Sequence, residues 1–201
     1  TYTITVNPTP VVNPIANITV CNGASVPASA FASTPAGASF TWTNSNSTIG
    51  LAASGSGNTP AFTATNTSGS AVTSTVSVTP TLNGCVGTPV NYTITVNPSP
   101  VVNPIANITV CNGANVPASA FASTPAGASF TWTNSNSTIG LAASGTGNTP
   151  AFTATNTTTA PITATITVTP TLNGCSGPPI TYTITVNPTP VVNPIANITV
   201  C

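Results

Sequence analysis

The stretch Tyr92-Thr93-Ile94-Thr95-Val96-Asn97-Pro98 alternates large apolar side chains with threonine and stops at a proline. Alternation with period two puts Tyr92, Ile94 and Val96 on one face and the hydroxyls on the other, the signature of a half-buried strand. The same seven residues stand at Tyr2–Pro8 and at Tyr182–Pro188, a spacing of 92 − 2 = 90. The pattern spreads outward from there. Ile162, Ala164, Ile166 and Val168 alternate with Thr163, Thr165 and Thr167, Phe40 and Trp42 with Thr41 and Thr43, Phe62 and Ala64 with Thr63 and Thr65, and Ile18 and Val20 with Asn17 and Thr19. Turn chemistry falls between these runs, at Asn22-Gly23, Pro35-Ala36-Gly37, Ser54–Asn58 and Asn83-Gly84. No stretch has a 3.6-residue period with caps. The expectation is an all-β chain of tandem antiparallel β-sandwiches, with about seven short strands per repeat and no helix.

The repeat is extensive. Residues 1–21 recur unchanged as 181–201, and residues 26–55 as 116–145. Differences gather around Ser68–Ser77 against Thr158–Thr167 and around Val86–Asn91 against Ser176–Thr181. A 90-residue period is too long for a solenoid unit and suits a small domain. The domains expected are 11–98 and 99–188, with 1–10 as the last strand and linker of a preceding repeat and 189–201 as the first strand of a third. Pro8 and Pro10, Pro98 and Pro100, and Pro188 and Pro190 sit at the junctions. Paired prolines stiffen a connector, so the repeats are expected to form an extended, semi-rigid rod.

Composition narrows the function. The chain has no Lys, Arg, Asp, Glu or His, and no Gln or Met. General acid–base chemistry and activation of a Ser or Cys nucleophile need such groups, so the chain is not read as an enzyme and no catalytic residue is assigned. Phosphate backbones are held by Lys and Arg, which argues against nucleic acid. Without carboxylates or His no metal site is expected, and no cofactor is assigned. No apolar run reaches the roughly 18 residues of a membrane helix, so this segment is not expected to insert in a membrane. Isopeptide cross-links need Lys and internal thioesters need Gln, so both are excluded.

Five cysteines fall in two registers: Cys21 and Cys111 precede an Asn-Gly pair and Cys201 keeps their 90-residue spacing, while Cys85 and Cys175 follow an Asn-Gly pair. They are expected to form disulfides in an oxidising compartment, with Cys201 paired outside the segment. The simpler pairing is Cys21 with Cys85, inside one repeat. The alternative is Cys21 with Cys175, since Cys85 follows a hairpin turn and an immunoglobulin-like strand order sets Cys21 and Cys85 at opposite ends. Phe40, Trp42, Phe62 and Tyr92, with Phe130, Trp132, Phe152 and Tyr182, are read as core aromatics; an exposed Trp would instead be a sugar-stacking platform. Asn-X-Ser/Thr triplets begin at Asn17, Asn46, Asn66, Asn91, Asn107, Asn136, Asn156 and Asn197, weak candidates for glycan attachment. Threonine ladders such as Thr1-Thr3-Thr5 and Thr163-Thr165-Thr167 are read as wet strand faces rather than ice-binding arrays.

The ordered set Ile18–Gly23, Phe40–Asn44, Ile49–Gly55, Pro60–Ala64 and Tyr92–Pro98 resembles the PKD-like or immunoglobulin-like repeats of very large secreted surface proteins of Bacteroidota, and the resemblance covers the whole chain. It implies export, by the type IX system, and a place at the cell surface in a long adhesin of the gliding type. The functions expected are, first, a structural spacer in such an adhesin or stalk; second, a building block of a self-assembling extracellular filament or sheath; third, a glycan- or ice-binding module. The partners expected are neighbouring repeats, identical chains in a filament, or surface glycans.

Overall fold

The computed structural model describes residues 1–200. The chain forms two compact units, Thr1–Ser99 together with Asn173–Cys175, and Pro100–Leu172 together with the chain from Ser176 on. The first repeat carries β1 (Val11–Val12), β2 (Ile18–Cys21), β3 (Ser25–Val26), β4 (Ser33–Thr34), β5 (Ser39–Asn44), β6 (Ser54–Ser56), β7 (Phe62–Thr63), β8 (Val72–Leu82), β9 (Cys85–Val86) and β10 (Val90–Asn97). The second repeats this order as β11 (Val101–Val102), β12 (Ile108–Cys111), β13 (Asn115–Val116), β14 (Ser123–Thr124), β15 (Ser129–Asn134), β16 (Ser144–Thr146), β17 (Phe152–Thr153), β18 (Ile162–Leu172), β19 (Cys175–Ser176) and β20 (Ile180–Asn187).

The long alternating runs make the large sheet, in the order β2-β10-β8-β5-β6 with β9 folded back on β8. In β8 and β10 the pairs Tyr92↔Val76 and Val90↔Val78 bring the apolar faces together, and Val76, Val78, Tyr92, Ile94 and Val96 are all buried. Each fully buried Val or Ile contributes roughly 1.5–3 kcal/mol of transfer free energy. Two short pairs, β1–β4 and β3–β7, supply the second layer, and Val12 and Val26 bring them into the same core as Trp42 and Tyr92. The second repeat has an equivalent core of its own around Trp132 and Tyr182. The fold is thus an all-β tandem of sandwich-like domains.

Three features differ from the sequence reading. There are ten strands per repeat rather than about seven, because five of the ten are two-residue pairings too short to leave an alternation. The sheet is antiparallel except that β2 runs parallel to β10, Ile18↔Ile94 through Cys21↔Asn97. The entering chain pairs with β4 through β1 and then, past Pro14, joins the large sheet as β2; proline has no N–H with which to continue a ladder. Finally, Ser47–Ile49 forms one turn of 3-10 helix, capped by Asn46 and ended by Gly50 at φ +99°, a backbone that favours glycine. The Pro35-Ala36-Gly37 turn follows a cis Thr34–Pro35 bond, and the second repeat has the same at Thr124–Pro125.

The junction prolines do not behave alike. Pro10, Pro98 and Pro100 are buried, Pro188 is half-buried, and Pro8 and Pro190 are exposed. A Cβ on Gly87 would overlap the Pro10 carbonyl and lie 2.8 Å from Pro80 Cγ, and a Cβ on Gly177 would overlap the Pro100 carbonyl. Pro10 and Pro100 are therefore packed parts of the repeats that follow them.

Candidate functional site

The chemistry-bearing groups gather where β2 ends and the hairpin turns reverse. Asn83 and Gly84 join β8 to β9 with φ of 49° and 81°, and Asn173 and Gly174 join β18 to β19 with φ of 50° and 79°. Positive φ at both central residues makes a type I′ hairpin turn, for which Asn-Gly is the preferred pair. Each turn presents a cysteine directly after it.

Cys175 is bonded to Cys21, with Cα atoms 5.5 Å apart and a sequence separation of 154. The simpler pairing, Cys21 with Cys85, is not formed. Cys21 closes β2 opposite Asn97 of β10, while Cys85 lies beyond the Asn83-Gly84 turn, beside Asn7: the Cys85 thiol reaches the Asn7 carbonyl at 3.8 Å. The bond accompanies the assignment of Asn173–Cys175 to the first unit. Cys85, half-buried, and Cys111, exposed, carry free thiols among the described residues. The expectation for Cys201 lies outside the described residues.

Around this bond the backbone is tied closely. The Asn22 N–H donates to the Asn97 carbonyl at 2.8 Å, and the Gly23 N–H donates to that of Ala64 at 2.7 Å. Asn22 Oδ1 accepts from the Asn66 N–H at 2.8 Å. Asn97 Nδ2 donates to the Asn173 carbonyl at 3.4 Å. One period earlier, Asn7 Nδ2 donates to the Asn83 carbonyl, also at 3.4 Å.

The buried polar side chains serve the backbone. Asn66 Nδ2 donates to the Ser70 and Val96 carbonyls at 2.8 and 2.7 Å, and its Oδ1 accepts from the Ser68 N–H and hydroxyl at 2.9 and 2.7 Å. Asn156 repeats this on Ala160, Val186 and Thr158. Glycosylation uses Nδ2, which is committed here, so Asn66 and Asn156 are not glycan sites as folded. Asn46 likewise receives the N–H and hydroxyl of Thr48. In these places the Asn-X-Ser/Thr spacing is turn chemistry, an asparagine receiving the group two residues on. Asn136 does the same for Thr138, at 3.1 and 2.6 Å, and Asn17 and Asn107 accept from the N–H groups of Thr93 and Thr183, both at 2.8 Å. The threonine hydroxyls of the wet face pair across strands, Thr73 with Thr95 and Thr163 with Thr185, both at 2.9 Å.

Trp42 and Trp132 are buried, each 4% exposed, as are Tyr92 and Tyr182, whereas Phe40, Phe62, Phe130 and Phe152 are half-buried against the core. The indole N–H groups of both tryptophans and the Tyr92 hydroxyl lack hydrogen-bond partners; the Tyr182 hydroxyl donates to Ser119 Oγ at 3.3 Å. Sequence reasoning missed Phe31, which meets Phe40 and Tyr92 edge-on at 5.8 and 6.4 Å, and its counterpart Phe121. The only signal for either was a lone aromatic in an Ala/Ser stretch with no alternation. It missed the buried asparagines for the same reason, since their role lies in tertiary hydrogen bonds.

Among the described residues no group of His, Cys, Asp or Glu could hold a metal ion, and no helix is long and apolar enough to cross a membrane. A shallow groove in the second unit, about 520 Å³, is lined by Asn156–Thr159 and by Pro188, Thr189 and neighbours, a set with no charged or nucleophilic group beyond hydroxyls.

Among curated proteins no match is found. Solved structures similar to this chain include the Dpr2 Ig1-Ig2 complex with DIP-Theta Ig1-Ig3 (10% identity, 90% of this chain and 67% of that one, TM-score 0.44). Mouse cadherin-23 EC22-24 is similar at 9% identity, over 92% of this chain and 68% of that one, TM-score 0.41. The insect immune protein hemolin is similar at 12% identity, over 90% of this chain and 47% of that one, TM-score 0.39. The family of PKD-like domains matches twice, over residues 18–100 and 108–190, which together take in most of the chain. With two such matches on two like-folded repeats, this chain belongs to the PKD-like domain family.

Proposed function

We propose that this chain is a structural repeat segment of a long extracellular surface protein, acting as a semi-rigid spacer between the cell and a part that adheres. One observation carries the reading. The chain has no charged side chain, and its buried asparagines, Asn44, Asn66, Asn134 and Asn156, are engaged by the backbone of their own repeats. What remains to the chain is shape, length and covalent closure. The Cys21–Cys175 disulfide supports an oxidising, extracellular setting. The resemblance to giant Bacteroidota surface proteins extends the proposal to an adhesin of the gliding type.

Small-angle scattering on chains of two, four and six repeats tests the spacer. Maximum dimension should rise in proportion to repeat number and stay independent of concentration. A particle that grows in volume without growing in length would refute it.

A further inference from the structure

We propose that Asn83-Gly84 and Asn173-Gly174 are sites of spontaneous modification, at which the asparagine loses ammonia and becomes aspartate or isoaspartate, while the fold protects the identical pairs Asn22-Gly23 and Asn112-Gly113. The sequence holds these four Asn-Gly pairs, two in each repeat. In the reaction the glycine backbone nitrogen loses its proton and attacks the asparagine Cγ. A cyclic imide forms as the Cγ–Nδ2 bond breaks, and the departing nitrogen takes up the proton and leaves as ammonia. Water then opens either carbonyl of the ring. One water enters, one ammonia leaves, and nothing is oxidised or reduced. Glycine suits the attacking position because no Cβ hinders its nitrogen.

Two of the pairs are held with both reacting groups occupied. The Gly23 N–H donates to the Ala64 carbonyl at 2.7 Å, and the Gly113 N–H to that of Ala154 at 2.8 Å. Asn22 Oδ1 accepts from the Asn66 N–H, and Asn112 Oδ1 from the Asn156 N–H, both at 2.8 Å. Nucleophile and electrophile are thus tied to different partners. The flanking backbone is tied as well, since the N–H groups of Asn22 and Asn112 donate to the Asn97 and Asn187 carbonyls. Both asparagines are half-buried. Ring closure there must first break the bonds on the glycine N–H and on the asparagine side chain.

The other two pairs lie open. Asn83, Gly84, Asn173 and Gly174 are all exposed, and the Gly84 and Gly174 N–H groups have no backbone acceptor. Hydrogen bonds from Asn7 and Asn97 Nδ2 reach Asn83 and Asn173 at their main-chain carbonyls, both at 3.4 Å, and leave the side-chain amides free. Among the described residues these two asparagines are the only non-glycine residues with positive φ. That conformation is costly for an L residue, so opening the turn for attack also relieves strain. A short surface turn with so few ties opens locally far more readily than the core around it.

The product matters in this chain because it has no charged side chain, so each event creates a carboxylate where none exists. Net charge near zero favours association, and carboxylates gained with time turn a neutral surface into a repelling one. Cys85 and Cys175 directly follow the two turns, and Cys175 carries the bond to Cys21. The isoaspartate form routes the chain through the side chain and lengthens the backbone by one methylene. A two-residue type I′ turn has no place for it, so the pairing of β9 on β8 and of β19 on β18 loosens there. The inference goes beyond the spacer reading and does not depend on it.

The test incubates the full chain at mildly alkaline pH, where loss of the glycine proton speeds the reaction, and samples it over time by chymotryptic mapping that separates aspartate from isoaspartate. Conversion at Asn83 and Asn173 should outrun that at Asn22 and Asn112 by about tenfold or more, the equivalent of two ordinary hydrogen bonds. In the reduced chain in guanidinium chloride the four rates should converge. Equal rates in the folded chain overturn the proposal. So does a difference that persists in guanidinium chloride, which would belong to the flanking sequence and not to the fold. With Asn83→Gly and Asn173→Gly, which a type I′ turn accepts, the acidic species seen on isoelectric focusing should disappear; their persistence at the parent's rate would also overturn it.

Discussion

Substituting Gly55 by alanine tests the packing of the core at one atom. Gly55 lies in the edge strand β6 and pairs with Trp42 of β5. A Cβ there would overlap Trp42 Cζ2 and stand 2.6 Å from Cε2 and 3.0 Å from Nε1. The indole is 4% exposed and has no room to retreat, so either it leaves its rotamer or β6 peels from the sheet. Overpacking of this kind costs about 1–3 kcal/mol. The φ of Gly55 is not in the left-handed region, so the backbone accepts alanine, and the narrower unfolded ensemble returns roughly 0.4–1 kcal/mol. A net loss of about 1–2 kcal/mol is expected. With a urea slope of about 1–2 kcal/mol/M, that lowers the midpoint by roughly 1 M. Each repeat has a single tryptophan, so in a Trp132→Phe background emission reports Trp42 alone, and the emission should shift red in the variant. In a Trp42→Leu background the overlap is gone, and Gly55→Ala should be neutral or slightly stabilising. An equal loss in both backgrounds would refute the steric argument.

Asn66→Ala should cost about 2–3 kcal/mol by equilibrium denaturation, because it leaves the buried Val96 carbonyl without its donor. Ser74→Ala should cost less than about 1 kcal/mol, since the second repeat has Ala164 there and its Asn134 Oδ1 still receives the Asn136 N–H at 3.0 Å. Reduction of Cys21–Cys175 should lower the calorimetric melting temperature: loop entropy over 154 residues corresponds to about 5 kcal/mol. With no acidic, basic or imidazole side chain, stability should be flat between about pH 4 and pH 7, since no side chain exchanges protons on unfolding there; thermal melts across that range check it.

Much of the large sheet was legible because β5, β8 and β10 carry alternation long enough to register. Asn83-Gly84 was legible because a type I′ turn needs those residues. The parallel β2–β10 pair was not, since alternation gives a strand its faces and not the direction of its neighbour. The cysteine pairing was left between two schemes for a related reason: which turn lies beside Cys21 is settled by the position of Asn97, a tertiary fact. Asn66 looked like a surface triplet because burial of a polar side chain leaves no trace in a local pattern. Pro10 and Pro100 read as linker because their packing against Gly87 and Gly177 joins residues 77 apart in the chain.

The parallel pairing of β2 with β10 has a mechanical consequence. These are the strand that joins the large sheet near the start of the repeat and the last strand of that repeat, and they point the same way. When the repeat is pulled by its two ends, the strands are drawn in opposite senses along their own length. Their evenly spaced, slanted hydrogen bonds then share the load in shear and must break together, whereas an antiparallel hairpin pulled from its open end unzips one bond at a time. Each repeat therefore has a clamp at the place where tension enters it.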